Sequence, residues 1–98
     1  MKLTAEEIAQ FEDEGYLFFP NTFSSAEAKA LKNAASDVYA MDREEVWRES
    51  SGVARTAFAA HTYNEAFMRL GCHPRLIVPV CQLLDGQVYI HQYKVNAK

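Results

Sequence analysis

The stretch Gln87-Val-Tyr-Ile-His-Gln-Tyr-Lys-Val-Asn-Ala-Lys98 ends the chain and decides how its fold is interpreted. Its β-branched and aromatic residues predict a strand over Val88–Val95. Side chains alternate between the two faces of a strand, so Gln92, Lys94 and Asn96 are expected on one face. Polar groups aligned after an apolar start are typical of a barrel wall that lines a pocket. The alternative is an edge strand whose outer face is wet.

Two capping boxes predict helices in the first half of the chain. Thr4-Ala-Glu-Glu7 begins a helix that Gly15 ends, and Ser24-Ser-Ala-Glu27 begins a helix that runs to about Tyr39. The second helix has apolar residues at spacings of three and four, which predicts one buried face. Between the helices, Tyr16–Phe19 is predicted as a short strand that ends at the turn signal Pro20-Asn21.

The second half of the chain predicts a hairpin, two helices and the final strand. The order of elements is therefore helix, strand, helix, hairpin, two helices, strand, which indicates an α+β fold. The predicted elements are hairpin strands Val46–Arg48 and Val53–Thr56 about Ser50–Gly52, a loop over Phe58–Thr62, a helix Glu65–Leu70 capped by Asn64 and closed by Gly71, a helix Pro74–Leu84, and a turn at Asp85-Gly86.

Length and composition indicate one ordinary globular domain. The 98 residues are 49% hydrophobic and 23% charged, with a net charge of −3, which gives no reason to expect nucleic acid or an anionic membrane as a partner. The longest apolar run, Leu76–Cys81, is too short to span a bilayer. Two cysteines and an acidic start without an apolar leader favour a reducing, cytoplasmic location.

The histidines and cysteines do not predict a metal site. None of the three histidines is followed two residues later by a carboxylate, and Cys72, His73 and Cys81 lack the paired spacing of a structural zinc site. His73 is instead expected to begin a helix and Cys81 to be a small buried residue. Trp47 is expected in the core, with ligand stacking as the alternative. No catalytic residue is assigned.

The order of the motifs resembles the amino-terminal part of the phytanoyl-CoA dioxygenase family, in the bacterial branch that includes ectoine hydroxylase. The motifs are Phe11-Glu-Asp-Glu-Gly-Tyr-Leu-Phe-Phe-Pro20, Phe23-Ser-Ser-Ala-Glu27, Cys72-His-Pro-Arg-Leu-Ile77, Leu83-Leu-Asp-Gly86 and the final stretch from Val88. The resemblance extends over nearly the whole chain.

The resemblance implies a non-haem Fe(II), 2-oxoglutarate-dependent dioxygenase that hydroxylates a C–H bond of a small molecule. The family fold is a double-stranded β-helix, or cupin-like jelly roll, with iron held by two histidines and one carboxylate. Residues 1–98 would then be the amino-terminal part of a single domain, comprising its flanking helices and first strands. The iron ligands of the H-x-D…H pattern would lie beyond Lys98, so the chain alone is predicted to be inactive.

Two residues carry family roles by this resemblance. Gln92 matches a glutamine that faces the substrate, and Asn96 matches an asparagine in the 2-oxoglutarate region. The resemblance assigns no role to Lys94, Arg55 or Trp47. The rival hypothesis is a complete small α+β binding module, in which the final strand is a satisfied edge. A further alternative is a small metal module built from Cys72, His73 and Cys81.

Overall fold

The computed structural model describes residues 2–97 as a three-stranded antiparallel sheet and several helices, two of which pack against one face of the sheet. Lys98, which ends the stretch quoted above, lies outside the described residues. No helix among residues 2–97 has the length and apolar character needed to cross a membrane. The elements in chain order are α1 Ala5–Glu14, α2 Ser25–Tyr39, β1 Val46–Arg48, β2 Ala54–Phe58, a 3₁₀ turn Ala60–Thr62, α3 Glu65–Gly71, α4 Pro74–Leu84 and β3 Lys94–Asn96.

Both predicted capping boxes begin helices. The Glu7 amide donates to the Thr4 hydroxyl at 3.1 Å, and the Thr4 amide donates to the Glu7 carboxylate at 2.9 Å. The same pair of bonds joins Ser24 and Glu27 at the start of α2. Each box satisfies amides that have no partner within the helix, so both helices begin where the sequence predicts. Gly15 ends α1 in the left-handed conformation, with φ of 85°.

The core lies between the sheet and helices α2 and α3. Strand order is β1-β2-β3, and Val46, Ala57 and Val95 lie side by side on the inner face. Val38 of α2 and Ala57 of β2 are fully buried where the helix packs on the sheet, and Phe67 of α3 is only 5% exposed. The apolar spacing of α2 therefore marks a face that is buried, and the predicted hairpin is formed by β1 and β2. β2 extends two residues further than predicted, to Phe58.

The predicted strand Tyr16–Phe19 is wrong, because these residues pair with no other strand. Leu17 and Phe19 instead line a cavity with Phe11 and α4. Leu3 is attached to the same helix, since its amide donates to the Gln82 carboxamide oxygen at 2.6 Å. Branched and aromatic composition favours extended backbone, but a strand also requires a partner for its amide and carbonyl groups.

The final strand is much shorter than the sequence predicts. It comprises Lys94–Asn96 and pairs with β2, whereas residues 87–93 form no ladder. These earlier residues pair with no strand among residues 2–97, although the Tyr93 carbonyl accepts from the Ala59 amide. β3 is hydrogen-bonded to β2 on one side. Lys94 and Asn96 share a strand face, but Gln92 lies before the strand.

Two residues occupy positions other than those predicted. Gly71, predicted to follow the helix and close it, is instead the last residue of α3, and Cys72 is its cap. A side chain there would meet Ile90 and Tyr93, each at 3.1 Å, so the glycine permits close approach of the chain before β3 to the helix. Trp47 is 59% exposed rather than in the core, because it lies on the outer face of the sheet.

The described residues expose an unusually large surface to solvent. Their solvent-accessible area is 7279 Å². A folded protein of 11.1 kDa is expected to expose about 5,700 Å². The exposed area includes large apolar side chains, among them Phe18 at 78% and Tyr89 at 84%. The helices and the inner face of the sheet are packed, whereas the outer face of the sheet has no covering layer among residues 2–97.

Candidate functional site

The outer face of the sheet forms an open groove of about 450 Å³. Antiparallel register places Trp47, Thr56 and Asn96 in one row across the three strands, and Phe58 beside Lys94 in the next row. These residues lie on the opposite face from the buried row of the core, because side chains alternate along each strand. The groove is lined by Trp47, Arg55, Thr56, Phe58, Lys94 and Asn96.

Aromatic side chains form one wall of the groove. The rings of Trp47 and Phe58 lie 4.7 Å apart in an edge-to-face arrangement, which fixes both rings although Trp47 is mostly exposed. The Lys94 ammonium lies 5.6 Å from the centre of the Phe58 ring, within the range of a cation–π contact. The exposed tryptophan, considered from sequence as a possible stacking residue, is therefore part of a structured surface.

A register shift in the hairpin adds Arg55 to this face. Trp47 pairs with Thr56, but Arg48 pairs with Ala54, so Arg55 has no partner on β1. Strict alternation would bury Arg55 and expose Ala54, yet Ala54 is buried and Arg55 is exposed. An extra residue of this kind redirects side chains and is common beside functional sites. The shift therefore brings Arg55 next to Thr56 at the groove.

A hydrogen bond orients Asn96 within the groove. The Thr56 hydroxyl donates to the Asn96 carboxamide oxygen at 2.7 Å. This bond satisfies the acceptor end of the carboxamide and leaves its amino group as the available donor. No described residue accepts a hydrogen bond from that amino group. Asn96 is thus prepared to donate to a ligand with oxygen acceptors.

Gln92 lies at a second cavity, of about 470 Å³, on the other side of β3. Phe67, Leu70 and Gly71 of α3 form its helical wall, and Lys94 and Asn96 line both this cavity and the groove. The structure therefore brings Gln92 and Asn96 to a common cavity, although not through the continuous strand that the sequence predicts. The predicted roles of both residues remain predictions.

Tyr93 supports the backbone of the site from the core side. Its hydroxyl donates to the Phe67 carbonyl at 2.8 Å, its ring stacks on His61 at 4.6 Å, and its carbonyl accepts from the Ala59 amide at 2.8 Å. Burial raises the pKa of the Tyr93 hydroxyl, so it remains a neutral donor. This three-way attachment fixes the residue immediately before β3 and, with it, the start of the strand that carries Lys94.

The residues proposed for a small metal module do not form one. Among residues 2–97, no group of three or more histidine, cysteine, aspartate or glutamate side chains could hold a metal ion. His73 caps α4, because its Nδ1 accepts from the Arg75 amide at 3.1 Å, as expected of a residue that begins a helix. Cys81 is only partly buried, and Cys72 is exposed.

Sequence reasoning missed three groove residues: Arg55, Thr56 and Phe58. Phe58 was assigned to a loop, and Arg55 and Thr56 were placed on a hairpin strand without a role. The available signal was the run Ala54-Arg-Thr-Ala57, in which two polar residues separate two small apolar ones. Such spacing departs from the two-residue period of a regular strand and is consistent with an extra residue.

Curated proteins similar to this chain are bacterial oxygenases. An ectoine dioxygenase from Stutzerimonas stutzeri is 32% identical over 101 residues, which cover 98% of this chain and 33% of the relative. The L-proline trans-4-hydroxylase from Streptomyces griseoviridis is 34% identical over 86 residues, covering 87% of this chain and 32% of the relative. The chain thus spans about a third of the length of the curated relatives that it matches. No family model matches the chain.

Solved structures give the same result. EctD from S. alaskensis with bound Fe is 31% identical and superposes with a TM-score of 0.86, covering 96% of this chain and 35% of that protein. The same protein with 2-oxoglutarate and 5-hydroxyectoine gives a TM-score of 0.85 at 29% identity. These similarities confirm the resemblance to Fe(II)/2-oxoglutarate oxygenases of the phytanoyl-CoA dioxygenase family that the motifs predict.

Proposed function

We propose that this chain is part of an Fe(II)/2-oxoglutarate-dependent dioxygenase that hydroxylates a C–H bond of a small molecule. The observation that carries the proposal is the similarity to EctD with bound Fe, at 31% identity and a TM-score of 0.86. When bound, iron and 2-oxoglutarate would supply the oxidising power, with 2-oxoglutarate converted to succinate and carbon dioxide. The substrate would be a small molecule, since the named substrates of the relatives are ectoine and L-proline.

The described residues do not themselves fit an iron site. Two histidines and a carboxylate are the expected ligands, and residues 2–97 contain no such group. The H-x-D pair and the second histidine are therefore proposed to lie beyond Lys98. Residues 1–98 would be the amino-terminal part of one jelly-roll domain, with the sheet described here as its first strands. The excess exposed surface supports this proposal, because a covering layer would bury it.

The groove does fit the carboxylates of 2-oxoglutarate. Asn96 presents a free carboxamide amino group, and Lys94 supplies a positive charge from the same face of β3. Charge-assisted hydrogen bonds from such donors are stronger than those between neutral groups. We therefore assign Asn96 to the 2-oxoglutarate region. Gln92 does not line the groove, and its assignment to the substrate rests on the family resemblance and on the cavity that it shares with Asn96. Lys94 is proposed to assist Asn96, since both residues line the two cavities that flank β3.

The proposal is tested by measuring succinate release from 2-oxoglutarate by the full-length protein supplied with Fe(II) and either ectoine or L-proline. Substrate-dependent succinate release is expected in the wild type. Asn96→Ala should raise the dissociation constant for 2-oxoglutarate about tenfold, because it removes a hydrogen bond to a charged ligand. Asn33→Ala, on the exposed side of α2, is the matched control and should leave the constant unchanged.

Two results would contradict the proposal. One is the absence of 2-oxoglutarate binding in a folded, iron-supplied full-length protein. The other is equal 2-oxoglutarate affinity in Asn96→Ala and Asn33→Ala, which would remove Asn96 from the site.

A cytoplasmic location is also proposed, and fractionation of cells that express the full-length protein would test it.

A further inference from the structure

Arg55 differs from the other arginines in its lack of a partner. Arg43, Arg69 and Arg75 each form an ion pair with a glutamate. Arg48 donates to three backbone carbonyls, the nearest being that of Tyr39 at 2.6 Å. The Arg55 guanidinium makes no ion pair or side-chain hydrogen bond with any residue from 2 to 97. It nevertheless occupies a structured position, because the register shift in the hairpin directs it to the groove.

The groove combines positive charge with an absence of carboxylates. Two of its six lining residues, Arg55 and Lys94, are cationic, and none is acidic. Lys94 likewise forms no ion pair with a described residue. The chain as a whole carries a net charge of −3, so this positively charged groove is opposite in sign to the net charge of the chain. Unpaired positive charge in a lined groove indicates anionic ligands.

We propose that Arg55 binds the carboxylate of the primary substrate and so restricts the substrate to small organic acids. This inference rests on the proposed function, in which Asn96 and Lys94 bind 2-oxoglutarate. A planar guanidinium matches a carboxylate in a two-bond arrangement, which a lysine cannot reproduce. The neighbouring rings of Trp47 and Phe58 would contact the remainder of the substrate, and Trp47 can accept a cationic nitrogen on its face.

The register shift explains why this position holds an arginine on the outer face. Without the extra residue, Arg55 would point towards the core that contains Ala57 and Val38, where an unpaired charge is strongly unfavourable. With the shift, two adjacent polar residues, Arg55 and Thr56, reach the groove. Thr56 orients Asn96, and Arg55 remains free to bind a second anion. The two anionic ligands of the proposed reaction would thus have separate partners.

The test compares carboxylates with their neutral amides in the full-length protein loaded with Fe(II) and 2-oxoglutarate. Isothermal titration would measure the dissociation constants of L-proline and L-prolinamide, and of ectoine and its carboxamide. The wild type should prefer at least one carboxylate over its amide by tenfold or more. Arg55→Gln should bind that carboxylate about 10- to 100-fold more weakly and lose the preference, whereas Arg55→Lys should retain part of it. Arg69→Gln, which alters only an exposed pair with Glu65, is the control.

The outcomes separate this inference from the proposed function. If the wild type neither binds 2-oxoglutarate nor releases succinate, the proposed function fails. If it binds 2-oxoglutarate but prefers no carboxylate, or if Arg55→Gln keeps the preference, the assignment of Arg55 is overturned. A loss of 2-oxoglutarate affinity in Arg55→Gln would also overturn it, because Arg55 would then serve the cosubstrate. Retained 2-oxoglutarate affinity in the variant shows in addition that the variant is folded.

Discussion

Replacing Gly71 by alanine should destabilise the protein, although alanine is the better helix former. Gly71 is the last residue of α3, where the gain in helix propensity is at most about 1 kcal/mol. Against this gain, the added methyl group would meet Ile90 Cδ1 and Tyr93 Cε2, each at 3.1 Å. Insertion of a methylene-sized group into packed structure costs about 1–3 kcal/mol. We expect a net loss of about 1 kcal/mol in the free energy of unfolding.

The sign depends on whether the two neighbours can move. Tyr93 is held by its hydrogen bond to α3 and by its stacking on His61, so its ring cannot retreat without breaking a contact. Ile90 is 40% exposed and can adjust. Adding Ile90→Val to Gly71→Ala removes one of the two close atoms, and the double variant should therefore recover part of the lost stability.

Urea titration followed by circular dichroism would measure these differences in the full-length protein. Gly86→Ala is the matched control, because nothing lies within 4 Å of the added methyl group and the backbone there is not left-handed. It should be neutral or slightly stabilising. A Gly71→Ala variant as stable as Gly86→Ala would refute the reasoning, since Tyr93 would then be free to move.

Three further predictions concern the ion pair at α2, the cap of α1 and the support of β3. Hydrogen bonds from Arg75 and from the Ser24 amide lower the pKa of Glu27 from 4.5 to about 2, so their contribution to stability is present above pH 4.5 and is lost as pH falls towards 2. Glu27→Gln should flatten the pH dependence of the urea midpoint over that range, and an unchanged pH dependence would argue against this contribution. Thr4→Ala should cost about 1 kcal/mol in the same titration at pH 7, and a neutral effect would mean that the capping box does not stabilise α1. Tyr93→Phe should cost about 0.5–1.5 kcal/mol by thermal unfolding, whereas Tyr89→Phe, at an 84% exposed position, should cost nothing; equal effects would contradict the supporting role.

Local rules were sufficient for the helices. The bonds of each capping box join residues three apart, so the starts of α1 and α2 could be predicted without knowledge of the rest of the fold. Pro74 marked the start of α4, and the turn residues Asp85-Gly86 marked the chain after its end, again from residues close in the chain. The hairpin strands were also recognised, because turn-forming residues separate two short runs of β-prone residues.

Strand extents could not be predicted, because a strand exists only where another strand satisfies its backbone. Tyr16–Phe19 and residues 88–93 both have β-prone composition, yet neither forms a ladder among the described residues. Tyr93 packs on α3 instead, whereas Phe18 and Tyr89 are largely exposed. The predicted face shared by Gln92 and Asn96 failed for the same reason, although both residues line one cavity.

The sequence by itself determined where α1 to α4 begin, the α+β class and, through its ordered motifs, the resemblance to an oxygenase family. Tertiary structure alone decided that Trp47, Thr56 and Asn96 form one row, that Tyr93 anchors the start of β3, and that a register shift turns Arg55 towards the groove. The physical reason is the range of the interactions. Caps and helical periods act over a few residues, whereas the groove depends on pairing between strands about 40 residues apart in the chain, at Thr56 and Asn96.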